Sequence, residues 1–150
     1  MIVVPIEAIG TDRHRLDSYT FDFAANQYSL YPDSQYRFTH FHKTQGYANQ
    51  PLDGIWARAP YLHNGSVPTL RALLDDPKDR PARFYRGNDV YDQVRGGFVT
   101  DVAGDPADPR GARYFLYDTS QPGNGNGGHR YGMDLTAADK DAIVEYLKTF

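Results

Sequence analysis

The spacing of apolar residues gives its clearest signal at the C-terminal end of the chain. There, apolar residues recur every three or four positions and predict a helix with one apolar stripe, formed by Ala142, Ile143, Tyr146, Leu147 and Phe150. Thr136 and Asp139 precede this stripe in an arrangement similar to a capping box, with Asp in place of the usual Glu or Gln. We therefore expect the last helix to begin directly after Thr136, with Asp141, Glu145 and Lys148 outside the stripe.

The N-terminal part of the chain carries a weaker helical pattern. Residues 2–9 are predicted to be an extended lead-in. Thr11 or Asp12 is a suitable cap for a helix that runs towards Ala25, because the apolar residues that follow lie three and four positions apart, at Leu16, Tyr19 and Phe23.

The segment His40-Phe41-His42 alternates as a short strand does, which places both imidazoles on one face. A metal pair is conceivable, since neutral imidazole is a common ligand. No carboxylate or thiol lies at a recognised spacing to complete such a site, and we interpret both residues as surface histidines.

Turn-forming residues dominate the middle of the chain. Five prolines and glycines divide residues 47–68 into short turns: Pro51, Gly54, Pro60, Gly65 and Pro68. Thr69 is then a plausible N-cap for a helix over residues 70–74. Short strands are predicted at residues 83–86 and 114–117, the second pairing with an earlier short strand as a minor hairpin, and a turn is expected between residues 91 and 98.

Composition narrows the possible classes of protein. With 150 residues the chain is one domain, or most of one, and its net charge of −3 gives no basic surface for nucleic acid. It holds 0 cysteines, which excludes disulfides and thiolate metal sites but leaves the cellular compartment open. Its first apolar run is too short for a signal peptide, and no longer run is expected to span a membrane.

The segment from residue 47 to 74 combines unusual chemistry for a loop. An indole, a guanidinium and an imidazole, those of Trp56, Arg58 and His63, stand among the apolar side chains of Ile55, Tyr61 and Leu62. Loops that only connect elements seldom carry so many apolar and polar groups together. We therefore expect this segment to line a binding site.

A second candidate segment is Q-P-G-N-G-N-G-G-H-R-Y-G-M-D, residues 121–134. Its glycines permit conformations closed to other residues and let the main chain approach a flat ligand. The pattern of a phosphate-binding loop is absent. His129 and Met133 follow the glycines, and both side chains can ligate haem iron.

Several motifs occur in one order along the chain: I-G-T-D, G-I-W-A-R-A-P-Y-L-H-N-G-S-V-P-T-L, R-P-A-R-F-Y-R-G, Y-D-T-S-x-P-G-N, G-H-R-Y-G and L-T-x-x-D-K-x-A-I-V-E-Y-L-K-T. Together they resemble the C-terminal haem domain of large c-type cytochromes related to di-haem cytochrome c peroxidases. The closest likeness is to the branch that includes the haem-dependent rubber oxygenases. One departure is important: that family attaches haem through C-x-x-C-H, and this chain has no cysteine.

The resemblance implies a mainly α, cytochrome-c-like helical domain with long loops and a small β-hairpin. It implies a single, partial haem domain over residues 1–150, truncated at the N-terminus, because the family's C-x-x-C-H lies upstream of I-G-T-D. The alternative is a domain that has lost covalent attachment and binds haem non-covalently or not at all.

The resemblance also assigns roles to individual residues. His129 would be the distal axial ligand opposite the histidine of the absent C-x-x-C-H. Met133 is the competing ligand, or otherwise a core residue. The methionine that follows the loop in peroxidases is missing from L-R-A-L-L-D-D-P-K, which favours His129. Against this, a histidine in a glycine loop is often a flexible surface residue.

The remaining haem contacts come from the loop of residues 47–74. Trp56 and Tyr61 would contribute to the apolar envelope, and Arg58 would pair with a propionate, because its fork matches a carboxylate. His63 would donate a hydrogen bond to a propionate or to the loop backbone. As an alternative, His63 is a core histidine that fixes the turn with Asn64.

Two functions of different classes follow. The first is an electron-transfer haem c domain of a peroxidase-like or oxygenase-like di-haem oxidoreductase, periplasmic or secreted and not catalytic alone. Its partners would be haem and either an upstream second haem domain or a redox protein. The second is a haem-free structural or ligand-binding module that keeps the fold. A hydrolase is not supported, because G-x-S-x-G is absent.

Overall fold

The computed structural model of the chain describes residues 2–31, 35–36, 40–102 and 114–150. Within these residues the α-helices are α1 (Ile6–Ile9), α2 (His14–Asp17), α3 (Phe21–Leu30), α4 (Leu70–Leu73) and α5 (Ala137–Leu147). The strands are β1 (Val3–Pro5), β2 (Gly46–Ala48), β3 (Arg83–Arg86), β4 (Tyr91–Asp92), β5 (Gly97–Phe98) and β6 (Phe115–Asp118). Short 3-10 helices cover Ile55–Ala57 and Pro77–Asp79.

The expectation of a mainly α fold is wrong. Of the described residues, 30% are helical and 16% lie in strands, in short helices and several small sheets. In the described ranges, α3 with 10 residues and α5 with 11 are the only helices longer than one turn. The prolines and glycines of the middle segment explain this outcome, since they end each helical turn before it can propagate.

The sheets in the described residues are three antiparallel pairs of strands. Strand β1 pairs with β2, β3 with β6, and β4 with β5. The predicted pairing of the two aromatic strands is confirmed, with Phe84 opposite Tyr117 and their rings stacked at 5.2 Å. The expected turn before Phe98 is also present, between β4 and β5.

The predicted helix from residue 11 to 25 is wrong in extent. Helix α2 ends at Asp17, and α3 begins at Phe21. Between them Thr20 is extended, and its hydroxyl accepts a hydrogen bond from the main-chain N–H of Phe23 at 3.1 Å. The extended backbone of Thr20 thus separates the two helices, and its hydroxyl marks the start of α3.

Two further local predictions for the N-terminal part are corrected. Residues 2–9 are extended only over β1, since α1 follows and ends at Gly10, whose φ of 68° suits glycine. Residues 40–42 form no strand. Alternation over only three residues is too weak to specify a strand when no neighbouring strand is available for pairing.

The main apolar cluster is small and lies between α4, α5 and the turns before α4. Its buried members are Tyr61, Val67, Leu70, Leu74 and Val144. The expected caps are both present, since Thr69 accepts from the N–H of Ala72 and Thr136 accepts from that of Asp139.

The apolar stripe predicted for α5 is not its buried face: Ile143 and Leu147 are partly buried, but the buried apolar residue, Val144, lies outside the predicted stripe. Val144 is 1% exposed, whereas Tyr146 is 63% exposed and Phe150 41% exposed. The helix is turned towards α4, where Lys140 donates to the Asp75 carboxylate at 3.2 Å. Asp75 is not a residue of α5, so the spacing of residues within the helix could not predict this ion pair.

No helix in the described ranges is both long enough and apolar enough to cross a membrane.

Candidate functional site

A cleft of about 450 Å³ lies between the N-terminal segment and the loop that precedes α4, and we call it the His63 cleft. Its walls come from α1 and α2, from β2 and from the turn after Tyr61. The lining residues are Ile9, Thr11, Arg15, Tyr47, Ala48, Gln50, Leu62 and His63. The volume falls within the range of small-molecule and cofactor sites in proteins.

Three residues that line the His63 cleft carry buried polar atoms without a hydrogen-bond partner. These atoms are Nε2 of His63, the hydroxyl of Tyr47 and Oγ1 of Thr11. An unsatisfied buried polar group costs about 1–3 kcal/mol, and native proteins contain few of them. Three of the four such atoms in the described residues belong to lining residues of this cleft, which makes it the candidate site for a polar ligand group.

The position of His63 is determined by its neighbours. Its ring stacks on that of Tyr47 at 4.7 Å between centroids, with an interplanar angle of 13°. Arg15 donates to the His63 carbonyl oxygen at 2.9 Å. Burial, assisted by the charge of Arg15, lowers the pKa of His63, so the imidazole is neutral near pH 7.

The glycine loop, residues 121–129, packs against the N-terminal segment that forms one wall of the cleft. The main-chain N–H of His129 donates to the carbonyl of Ile9 at 3.0 Å. The N–H of Gly125 donates to the Asp12 carboxylate at 3.3 Å. At Gly128 a Cβ would lie 2.3 Å from Cγ2 of Thr11 and 2.6 Å from its Cα, so this approach requires glycine.

Arg80 holds the glycine loop from the opposite side. Its side chain is 4% exposed, and all its N–H donors point at main-chain carbonyls. The acceptors are the carbonyl oxygens of Leu73, Asp75, Asn126, Gly128 and His129, at 2.6–3.1 Å. Burial lowers the pKa of Arg80, and nearby Asp75 and Asp76 partly offset this effect.

Asn64 is a second attachment point for the same loop. Its side-chain amide donates to the carbonyls of Gly123 at 3.0 Å and Gly125 at 2.9 Å. Its amide oxygen accepts from the N–H of Ser66, and its own carbonyl accepts from the Tyr117 hydroxyl at 3.0 Å. The glycine loop is therefore joined directly to the turn that carries His63.

His129 does not line the His63 cleft but bonds to Ile9, which does. It has a φ of 58°, and its ring packs edge-on against Tyr131 at 4.8 Å. Burial, followed by the charge of Arg80, lowers the pKa of His129, which keeps the imidazole available as a metal ligand. Met133 is half-buried and follows on the same loop.

The other three predicted contact residues lie away from the His63 cleft. Trp56 donates to the carbonyl of Phe150 at 3.2 Å and packs edge-on against Tyr91. The Tyr61 hydroxyl donates to the Ile55 carbonyl at 3.0 Å, and burial raises its pKa. Arg58 is exposed and donates to the carbonyl of Pro51 at 3.3 Å.

The structure therefore divides the predicted residues into separate groups. Trp56 and Tyr61 belong to one cluster, with Arg58 on the adjoining turn. His63 lines the cleft, and His129 lies on the other side of the N-terminal segment. Across the described ranges, no three His, Asp or Glu side chains are grouped as a metal site.

Sequence reasoning did not single out Arg80 or Tyr47, and it gave Asn64 and Thr11 other roles, in the turn of His63 and as a helix cap. Three of them stand inside motifs that were already recognised: Thr11 in I-G-T-D, Asn64 in H-N-G-S and Arg80 in R-P-A-R. These motifs meet at the glycine loop in the folded chain. Their presence in the sequence could therefore have pointed to Thr11, Asn64 and Arg80. The contact of Tyr47 with His63 arises only from tertiary packing and left no sequence signal.

Comparison with known proteins gives one family match. Residues 46–85 match the model of a family described as "RoxA-like, cytochrome c-like". The matched segment holds Tyr47, His63, Asn64 and Arg80. The match supports the resemblance at the level of the family and indicates a cytochrome-like role.

Two curated relatives, both from Sinorhizobium fredii, are also similar to this chain. "Uncharacterized protein y4iJ" is 43% identical over 112 residues, covering 69% of this chain and 17% of the relative. "Uncharacterized protein y4iM" is 42% identical over 121 residues, covering 70% of this chain and 27% of the relative. The chain thus corresponds to less than a third of either relative.

Proposed function

We propose that this chain is a haem-binding, c-type cytochrome domain that serves electron transfer in a larger di-haem oxidoreductase. The observation that carries the proposal is the unpartnered Nε2 of His63 in a cleft of about 450 Å³, within the segment that matches the cytochrome-like family. A haem domain needs axial donors, an apolar envelope and polar partners for the propionates.

The residues of the His63 cleft fit such a group. Ile9 and Leu62 supply apolar surface. Arg15 is a cation at the rim, and the hydroxyls of Thr11 and Tyr47 have no protein partner. These groups would hold propionates by charge-assisted hydrogen bonds, the role first expected of Arg58.

His129 remains our choice for the distal axial ligand, with Met133 as the alternative. Its backbone is anchored to Ile9 and Arg80 across the N-terminal segment from the His63 cleft, so ligation of a haem in that cleft would require the glycine loop to move. Neutral imidazole is the form that binds iron, and burial and the Arg80 charge both favour that form. A bound haem would supply reversible one-electron chemistry at its iron.

Because this chain contains no cysteine, any haem that it holds by its own residues is bound non-covalently. Thioether attachment would require a C-x-x-C-H from sequence outside it. The length of the relatives is compatible with further domains. We propose that one of these carries the second haem and that the protein is periplasmic or secreted.

Absorption spectroscopy tests the proposal. Haemin is titrated into the purified chain, and spectra are recorded oxidised and after dithionite reduction. A second form extends the chain upstream to the nearest encoded C-x-x-C-H. We expect a low-spin spectrum in the extended form, lost in His129→Asn and retained in His14→Asn. Asn is used at position 129 because it tolerates the positive φ.

The outcomes separate the alternatives. Sharp reduced α and β bands in the extended form only would indicate covalent attachment from outside this chain. Haem bands in the chain alone would indicate non-covalent binding. If neither form takes up haem, the cytochrome proposal is wrong, and the His63 cleft belongs to a haem-free ligand-binding module.

A further inference from the structure

A second cleft, of about 300 Å³, lies on the other face of the segment that carries Tyr61, and we call it the Arg86 cleft. Three short stretches form it: Ala59 to Pro60 together with Pro68, residues 84–89 at the end of β3, and residues 98–100 after β5. It shares no lining residue with the His63 cleft.

The walls of the Arg86 cleft are held in place by main-chain and side-chain hydrogen bonds. Tyr85 donates its N–H to the carbonyl of Thr100 at 3.0 Å. The Asn88 amide donates to the carbonyl of Val99 at 3.2 Å, and its oxygen accepts from the N–H of Val90. The cleft is therefore preformed, as small-molecule sites usually are.

The surface of the Arg86 cleft is largely apolar. Pro60, Pro68, Phe84 and Phe98 supply rings on its different sides. Such a surface favours an aromatic or branched aliphatic body of a few carbon atoms, because burying it removes apolar area from water.

Arg86 is the one side chain in this lining that is always positively charged. It is half-buried and lies over the Tyr117 ring, with 5.2 Å from Cζ to the ring centroid. Its guanidinium makes no hydrogen bond or ion pair with another described residue. This contrasts with Arg80, whose donors are all used, and with Arg83, which pairs with Asp118 at 2.9 Å.

Gly65 makes room for this guanidinium. It has a φ of 70°, and a Cβ there would lie 3.1–3.2 Å from both terminal nitrogens of Arg86 and 3.2 Å from Cγ of Pro60. The unused donors lie beside Gly65, and both Arg86 and Pro60, which Gly65 also adjoins, line the apolar cleft. Arginine presents a planar fork that matches a carboxylate with two hydrogen bonds.

We infer that the Arg86 cleft binds a small monocarboxylate with an apolar body, whose carboxylate pairs with Arg86 and whose body contacts the proline and phenylalanine rings. Asp89 also lines the cleft and would repel a second negative charge, which favours a monocarboxylate over a dicarboxylate. The inference uses no residue of the His63 cleft and does not depend on haem.

The test uses benzoate as the probe and benzamide as its neutral counterpart. Amide shifts of the isotope-labelled chain are followed during titration of each compound. We expect benzoate to shift the amides of Ala59, Phe98 and Thr100, and benzamide to bind about tenfold more weakly or worse, because one charge-assisted pair is lost. Added salt should weaken benzoate binding and leave benzamide unaffected.

Two variants and a matched control test whether the charge of Arg86 causes the preference for benzoate. Arg86→Met keeps an apolar stem and should remove the preference for benzoate. Arg83→Met, on the same strand but outside the cleft, should keep it. Asp89→Asn should tighten benzoate binding. The inference is wrong if benzoate does not bind at tens of millimolar, if Arg86→Met keeps the preference, or if the shifts map to the His63 cleft.

A further experiment tests whether the Arg86 cleft binds a free carboxylate or the propionates of haem. The benzoate titration is repeated after addition of haemin. Unchanged benzoate affinity supports a separate site. Competition between the two, with shifts at Ala59 and Phe98 caused by haemin itself, would mean that Arg86 belongs to a haem site and would overturn the inference.

Discussion

The guanidinium of Arg80 donates to the main-chain carbonyl of His129 across 2.9 Å, joining two residues 49 positions apart. The same cation also bonds to the carbonyls of Asn126 and Gly128. It is buried without a carboxylate in hydrogen-bond contact, so carbonyl dipoles replace its hydration, and the nearby charges of Asp75 and Asp76 assist them. This arrangement fixes the glycine loop and, through it, the backbone of His129.

Replacing Arg80 with Met should destabilise the protein by about 3 kcal/mol, because several buried carbonyls lose their charged donor at once. Urea unfolding measures the change. The matched control is Arg83→Met, which removes a pair whose arginine is 67% exposed and should cost within about 1 kcal/mol. Equal effects of the two substitutions would contradict the role assigned to Arg80.

Replacing Gly128 with Ala should separate the glycine loop from the N-terminal segment. The new Cβ would lie 2.6 Å from Cα of Thr11, and backbone atoms cannot move away as a flexible side chain does. We expect a loss of about 2 kcal/mol or more. Gly127→Ala is the control, since nothing lies within 4 Å of its Cβ position. Thermal unfolding of both variants distinguishes close packing from a general need for glycine.

Replacing Asn64 with Asp should weaken the link between the glycine loop and the turn of His63. The substitution keeps the shape of the side chain but places a carboxylate oxygen against the carbonyls of Gly123 and Gly125. We expect a loss of about 2 kcal/mol. Amide hydrogen exchange should increase between residues 121 and 129, while exchange in α5 should change little. Unaltered exchange in the loop would argue against the link.

Acid should destabilise the protein between pH 7.5 and 5.5 through His63 and His129. Burial lowers the pKa of both imidazoles below the ordinary value of 6.5. The unfolded chain therefore binds protons that the folded chain does not, so stability falls as the pH drops through that value.

The urea midpoint at several pH values measures this dependence. In the double variant His63→Phe with His129→Asn, the slope between pH 7.5 and 5.5 should become shallower. The carboxylate of Asp12 contributes only in a lower range, because hydrogen bonds from His14 and Gly125 outweigh the effect of burial and hold its pKa below 3.8. An unchanged slope in the double variant would contradict the contribution of the two imidazoles.

Local rules account for several elements of the fold. Thr69 and Thr136 cap α4 and α5 as their positions in sequence predict, because the hydroxyl of an N-cap residue reaches an N–H three residues ahead. The aromatic strands around Phe84 and Tyr117 were also predictable from residue type. These features depend on residues close together in sequence or on β propensity.

Other features depended on distant partners. The buried face of α5 follows from the packing of Val144 against Leu70 and Leu74 and from the pairing of Lys140 with Asp75, partners that the helical pattern does not contain. The fold class was misjudged because the family resemblance suggested a mainly helical domain, whereas the prolines and glycines of this chain keep most helices to one turn.

By itself, the sequence determined the capped helices, the aromatic strand pair and the order of motifs that resembles a haem-binding family. Only the tertiary structure decided that Tyr47, Thr11 and His63 share a cleft, that Trp56 and Arg58 lie outside it, and that Arg80 and Asn64 hold the glycine loop. The physical reason is range: capping and turn preferences act within a few residues, whereas a cleft and its unsatisfied polar atoms exist only where distant segments pack together.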